Sequence, residues 1–362
     1  MPPRRRSPAA LAAAAALLLG GIGGAAAQTA APSAPPAATA GPRVEWRLAT
    51  WGKPRAFTAG AETLARHVAE RSGGAFTVRV GYDAAEGYES FGAPATLLDR
   101  LNRGELQATM ICAAYHPART PALTGLDLPF LPIPDADTQQ RVHDAYHRHP
   151  AVARELAGHG AVPWVSALLP QYEFLGRGEP PRRLEAFAGL RVRALGGLGE
   201  AMRRFGALPV AVPPDDVFAA MRRGEVDAVA FPYAFGHHGY RIHELSSWAT
   251  TNLAPGTLAC PVLLGRAAWE ALPPAYRAMV EEARPLATAA LKAAYRAADA
   301  EHVPEFRARG LAMVEYDAEE LARFRATGAR PVWEAWVAAR EAEGLPGREL
   351  LDLILTAAAA AR

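Results

Sequence analysis

From Val44 onward the chain alternates between two periodicities, and that alternation limits the folds open to it. VEWRLATW alternates apolar and polar residues as a strand does. FTAGAETLARHVAERSGG then sets apolar residues at helical spacing and stops at Gly73-Gly74, after which FTVRVGY returns to alternation. A second helix candidate, FGAPATLLDRLNRGEL, leads into the strand-like QATMICAAY. Parallel strands need a crossover long enough to hold a helix. This order therefore predicts parallel strands with helices on both faces.

The pattern pauses and resumes. TGLDLPFLPIPDADT is punctuated by prolines and precedes the helix candidate TQQRVHDAYHRH, which ends before Pro150. After AVPWVSALL come RLEAFAGLRVRA, a helix EAMRRFGA, a short strand PVAV, a helix DDVFAAMRRGEV and the apolar strand DAVAFPY, which make a second α/β unit. TLACPVLLG reads as one more buried strand, and residues 269–303 as a long helical stretch interrupted by prolines. No repeat of fixed period is visible. With 362 residues, 50% of them hydrophobic, the chain can build two such cores. Two α/β lobes with a cleft between them is the expected architecture.

Charge and targeting narrow the function. Net charge is +2, and the basic residues are nearly all arginine, Lys53 and Lys292 being the only lysines; they are scattered, which argues against a nucleic-acid partner. Arg4, Arg5 and Arg6 precede an apolar run that closes on Ala25-Ala26-Ala27 before Gln28, the plan of a signal peptide over residues 1–27. Residues 28–43, rich in alanine and proline, read as a flexible leader. The mature chain is expected to be exported to the periplasm. Cys112 and Cys260 each sit in an apolar run and read as free buried thiols, with a bridge between them as the alternative.

Gly196-Gly197-Leu198-Gly199 follows a strand and opens a helix, but Met202 stands where a dinucleotide loop needs its third glycine. No nucleotide is expected. Backbone N–H groups at the start of the helix near Glu200 would suit an anion, and Arg193, in LRVRALGG, adds a bidentate donor for a carboxylate. His143 and His147 form an i, i+4 pair, and His237, His238 and His243 lie close in sequence. No acidic or cysteine residue completes a metal-ligand spacing with them, so they read as a solvated helix face and no metal or cofactor is assigned. No Gly-x-Ser-x-Gly and no evident carboxylate pair marks a catalytic centre, and no catalytic residue is assigned.

Taken in order, LATWG, SGGAFTVRV, RLNRGELQATM before ICAAY, LDLPFL, RRLEAFAGLRVRALGGLGEAMRRFGALPVAVPPDDVFAAMRRGEVDAVAFPY and LACPVLLGRAAWEALPPAYRAMVEEA resemble the solute-binding proteins of TRAP transporters, tripartite ATP-independent periplasmic systems of the DctP type. The resemblance covers nearly all of the mature chain. It implies a bilobal periplasmic-binding-protein-like fold, two α/β domains around a ligand cleft with crossover strands and a long C-terminal helix. Residues 44–168 would form the first part of domain I, 169–235 the first part of domain II, 236–285 the crossover and return to domain I, and 286–362 a helical segment packed across both.

The same resemblance implies that Arg193 pairs with a ligand carboxylate across the cleft. A small organic acid and the TRAP membrane subunits would be the partners. The chain departs from the family at Ala228–Tyr233, where many members carry Asn, or an acidic residue followed by an aromatic; Ala230 cannot ligate a metal. Tyr172 and Glu173 stand where sugar-acid binders place another arginine and keto-acid binders a glutamine. Trp51, Tyr115, Tyr172, Phe231 and Tyr233 are expected at strand ends facing the cleft, with Glu173 beside them, and such aromatic walls suit a ligand with an apolar body. A periplasmic enzyme on this scaffold, or a module presenting its ligand to a sensor, are the alternatives.

Overall fold

The computed structural model describes residues 41–50, 55–82 and 96–360. The strands in chain order are β1 (Val44–Ala49), β2 (Phe76–Gly81), β3 (Ala108–Met110), β4 (Ala161–Ser166), β5 (Tyr172–Gly176), β6 (Arg191–Arg193), β7 (Leu208–Val210), β8 (Ala228–Pro232), β9 (Trp248–Thr250), β10 (Pro261–Gly265) and β11 (Ala312–Val314). The helices are α1 (Ala59–Arg71), α2 (Leu97–Asn102), α3 (Ala136–His147), α4 (Pro150–Gly158), α5 (Gly196–Arg204), α6 (Val217–Arg223), α7 (Phe235–Gly239), α8 (Arg266–Ala271), α9 (Pro274–Ala308), α10 (Ala318–Gly328), α11 (Arg330–Ala342) and α12 (Gly347–Ala359).

These strands form two sheets. The first runs β2-β1-β3-β10-β4 and the second β11-β9-β5-β8-β6-β7. The expectation of parallel strands holds for β1 with β2 and β3, and for β6 with β7 and β8. It fails for β10, antiparallel to β3 and β4, and for β5, antiparallel to β8 and β9. The reason is connectivity: β10 enters the first sheet only after the chain has built most of the second, so it arrives from the opposite end. Two of these strands, β5 and β9, carried no strand expectation. Both are short and fully buried, and without a solvated face they lack the alternation that marks a strand.

Helix α9 joins the two halves of the core. Its 35 residues run without a break, although Pro285 and Pro304 lie inside it. The prolines were expected to interrupt it. Each removes one N–H from the ladder, but Ala283, Ala287 and Leu291 are buried on the face that packs the helix, and that burial outweighs the missing bonds. Pro274 sits at the first helical position, where its absent N–H costs nothing. At its middle Leu291 packs on Gly60 of α1, and near its C-terminal end Phe306 enters the cluster formed by Leu175, Val229 and Phe231 of the second sheet. The C-terminal segment is not wholly helical, since β11 pairs with β9 at the edge of the second sheet. None of the described helices is long and apolar enough to cross a membrane.

Candidate functional site

The site is built around the end of β6. Arg191 and Arg193 share a face of this strand, but their environments differ. Arg191 is partly exposed and grips Asp227 through Nε at 2.8 Å. Arg193 is 1% exposed. Its Nε donates to the carbonyl of Val212 at 3.2 Å, its Nη1 to the carbonyl of Ala230 at 3.2 Å, and its Nη2 to the hydroxyl of Tyr115 at 3.4 Å. The guanidinium carbon lies 4.6 Å from the centre of the Phe231 ring. All three hydrogen bonds go to neutral oxygens, so a full positive charge is held out of water by dipoles and a ring face.

Beside Arg193 lies a cavity walled by aromatic rings. Phe57, Tyr115, Tyr172, Phe231, Phe235 and Tyr240 line it, together with Cys112, Leu169, Pro214, Pro232 and Gly236, and the free space is about 30 Å³. Phe57 and Tyr115 come from the half of the chain that builds the first sheet, and Tyr172, Phe231 and Tyr240 from the second. Phe231 stacks on Tyr240 with centroids 4.8 Å apart. Arg55 adds a second cation, 3.8 Å over the Tyr240 ring, with its Nη2 donating to the carbonyl of Gly239 at 3.2 Å. Burial holds the Tyr172 and Tyr240 hydroxyls well above the usual phenol range, so both stay neutral donors.

The other sequence candidates fall elsewhere. Glu173 is buried beside β9, where its carboxyl accepts from the Thr250 hydroxyl at 2.5 Å and from the Ala254 N–H at 2.9 Å, and burial pushes it up to about 7. Tyr233 packs edge-on against Phe306 of α9, with its hydroxyl raised to about 12 by burial. Neither lines the cavity. Trp51 lies outside the described residues. Arg55, Phe57, Phe235 and Tyr240 were not foreseen, because Arg55 precedes and Phe57 lies within a three-residue 3-10 turn, and Phe235 opens and Tyr240 follows the five-residue α7, segments too short for a periodic signal.

Helix α5 begins at Gly196, four residues before the expected start near Glu200, because its glycines allow a tight approach. A Cβ on Gly197 would stand 2.3 Å from the Asp127 carbonyl oxygen. The loop-like glycines thus serve packing against LDLPF. The Asp127 carboxyl lies alongside Gly196, its Oδ2 3.5 Å from where a Cβ would be, so a carboxyl of the chain itself already stands beside this helix end. A larger groove of about 580 Å³ runs between α5 and α11. Its Arg203 and Arg340 are already paired with Glu200 and Glu343.

Two further expectations are corrected. Cys112 and Cys260 form a disulfide. The bonds Ala113 N–H to Ala259 and Ile111 N–H to Pro261, at 2.9 and 3.2 Å, extend the β3–β10 pairing and set the two residues face to face, which spacing along the chain could not reveal. His143 and His147 are buried rather than solvated, and His143 Nδ1 is 2.6 Å from the Ser166 hydroxyl. Burial holds both imidazoles low, at about 3 and 4.

Known proteins share this fold. The solute-binding protein of a TRAP transporter from Rhodoferax ferrireducens T118, solved in complex with copurified benzoate, superposes with a TM-score of 0.76 at 21% identity, over 87% of this chain and 98% of that one. One from Desulfovibrio salexigens with bound orotic acid gives a TM-score of 0.75 at 20% identity, over 88% and 99%. A curated relative from Nostoc sp. PCC 7120, a monocarboxylate 2-oxoacid-binding periplasmic protein, is 24% identical over 77% of this chain and 75% of its own length. The likeness to the solved structures establishes the bilobal fold. The description of bacterial extracellular solute-binding proteins, family 7, matches residues 50–339, and the chain therefore belongs to that family, DctP.

Proposed function

We propose that this chain is the periplasmic receptor of a TRAP transporter, exported by residues 1–27, and that it captures a monocarboxylate with an aromatic or otherwise apolar body. One observation carries the reading: the buried Arg193 charge meets only neutral acceptors among the described residues and touches Tyr115 and Phe231, two of the rings that line the aromatic cavity. An anion placed there would gain a bidentate, water-excluded partner, and its body would lie among the rings. The relatives crystallised with benzoate and with orotic acid support an aromatic acid, and the 2-oxoacid-binding relative supports a monocarboxylate.

The two sheets are taken as the cores of the two lobes, with Arg193, Tyr172, Phe231 and Tyr240 on one wall and Tyr115, Phe57 and Arg55 on the other. A space of about 30 Å³ holds a water but not a ring. The walls must part for entry and close on the solute, as in hinge-bending receptors. Closure would then present the surface read by the membrane subunits, where the transport energy is spent.

A thermal-shift screen tests the reading. Benzoate, phenylacetate, orotate, pyruvate, a hexuronate and several amino acids are offered to the wild type and to Arg193→Ala. An aromatic or 2-oxo monocarboxylate should raise the Tm of the wild type and not of the variant. A panel in which no acid stabilises the protein would reject the carboxylate reading, and chemical conversion of a hit would point to an enzyme on this scaffold.

A further inference from the structure

Away from the aromatic cavity, three imidazoles and one carboxylate from separate elements converge at the end of α9. His238 belongs to α7, His243 to the single 3-10 turn Ile242–Glu244, and His302 and Glu305 to the last turns of α9. Glu305 divides its oxygens among them. Oε2 lies 3.3 Å from His238 Nε2 and 3.9 Å from His302 Nδ1, while Oε1 lies 3.3 Å from His243 Nε2. One ligand atom each from His238, His302 and Glu305 fall within 4.8 Å of one another. The His238 ring lies parallel to that of His302 at 3.7 Å and to that of His243 at 4.9 Å. His302 Nδ1 is buried and makes no hydrogen bond among the described residues.

An ion pair does not account for this grouping. One carboxylate neutralises one imidazolium, and two more charged rings stacked at these distances would repel each other. Donors bound at about 2 Å to one tetrahedral ion stand about 3.3 Å apart, the spacing already present between Glu305 Oε2 and His238 Nε2. We propose that His238, His302 and Glu305 hold one divalent late transition-metal ion of the zinc, nickel or copper type, with His243 Nε2 holding the other oxygen of Glu305. Two imidazole nitrogens and one carboxylate oxygen select these ions over magnesium and calcium, which prefer sets of oxygen donors. The side chains of His238 and Glu305 are 39% and 37% exposed and give the ion a way in, while His243, at 4%, is fixed by packing.

The ion would clasp α9 to α7. Phe235, Gly236 and Tyr240 of that same stretch line the aromatic cavity, so the clasp would hold one of its walls from behind. The sequence separates the two halves of the set by some sixty residues. That separation is why the histidines near 237–243 showed no acidic partner.

The test uses the untagged full chain, freed of metal by a chelator and titrated with ZnCl2 by calorimetry, with CuCl2 under electron paramagnetic resonance, and with MgCl2 and CaCl2 as controls. One equivalent of zinc should bind, copper should show nitrogen hyperfine structure, and magnesium and calcium should not bind. His302→Ala and Glu305→Gln should each weaken zinc binding by more than about tenfold, whereas His149→Ala, at an imidazole outside the cluster paired with Glu349, should not. If His302→Ala fails to fold, the nearly isosteric Glu305→Gln decides with the same readouts. Absence of saturable binding at one equivalent, or binding undiminished in the cluster variants, overturns the proposal.

Discussion

The guanidinium of Arg193 lies over the ring of Phe231, and its Nη1 bonds the carbonyl of Ala230, the residue before that ring. One strand of the second sheet thus supplies both the ring face and the dipole that tolerate this charge inside the protein. A desolvated cation on a ring gains about 2 kcal/mol, less than the several kcal/mol that burying an ion costs. The balance favours any anion that can reach the site.

The first prediction follows from that imbalance. Arg193→Lys keeps the charge but loses the planar fork that holds Val212, Ala230 and Tyr115 together. Affinity for the stabilising carboxylate should fall by about 2–5 kcal/mol in calorimetry. The unliganded Tm should move much less. A variant that binds as tightly as the wild type would show that the anchor lies elsewhere.

Asp127 predicts a pH dependence. It is fully buried, its Oδ1 accepts from the Ala259 N–H at 2.6 Å, its Oδ2 has no hydrogen-bond partner among the described residues, and burial pushes the carboxyl from 3.8 to about 8. The native chain therefore keeps a proton that the unfolded chain releases, and the associated stability is complete at acid pH and lost as the pH climbs toward 8. Buried His143, His147 and His237, held at about 3, 4 and 3, act in the opposite sense, but their gain is complete above the free imidazole value of 6.5. Glu155 and Glu173, raised to about 7, share the lower part of the range. The Tm should thus decline between about pH 7 and 8, and Asp127→Asn, which keeps an acceptor for Ala259, should flatten that decline. An unchanged slope in the variant would refute the assignment.

The disulfide ties the end of β3 to the start of β10 across 148 residues of sequence. Most of the second sheet lies inside that loop, so the link restricts the unfolded chain strongly. Replacing both cysteines with alanine should lower stability by about 2–4 kcal/mol in denaturant unfolding. A loss near zero would mean that the bridge constrains nothing the sheet does not already hold.

Much of this architecture was legible in the sequence because helices with one solvated face carry their period openly. The strand under Arg193 was visible for the same reason, since Arg191 faces water and Val192 does not. What stayed hidden is what three dimensions assemble. Strands β5 and β9 are buried on both faces and three to five residues long. The bridge partners of Cys112 and Cys260 meet only through β10's return to the first sheet. Glu173 and Tyr233 neighbour true cavity residues in sequence, yet Glu173 turns its carboxyl along the sheet to Thr250 and Tyr233 lies one residue past the end of β8, against α9. Arg55 and Tyr240 touch each other from opposite halves of the chain, which no local pattern records.

The glycines of α5 give the last prediction. Gly197 sits in the first turn of the helix, where a methyl group would stand 2.3 Å from the Asp127 carbonyl, 2.9 Å from Pro129 Cδ and 3.0 Å from Leu128 Cα. Two of these contacts are backbone and cannot rotate away. Relief requires α5 to retreat from LDLPF, which opens the core around Leu198 and Met202, both buried at the centre of this contact. Gly197→Ala should therefore cost about 1–3 kcal/mol, the range for overpacking. Gly158, the last residue of α4, has nothing within 4 Å of its would-be Cβ and ordinary helical geometry, so Gly158→Ala should stabilise by about 0.5–1 kcal/mol. The two variants carry the same chemical change with opposite expected signs. Chemical unfolding of both, side by side with the wild type, separates close approach from helix propensity, and a Gly197→Ala chain as stable as the wild type would show that α5 docks more loosely than the geometry states.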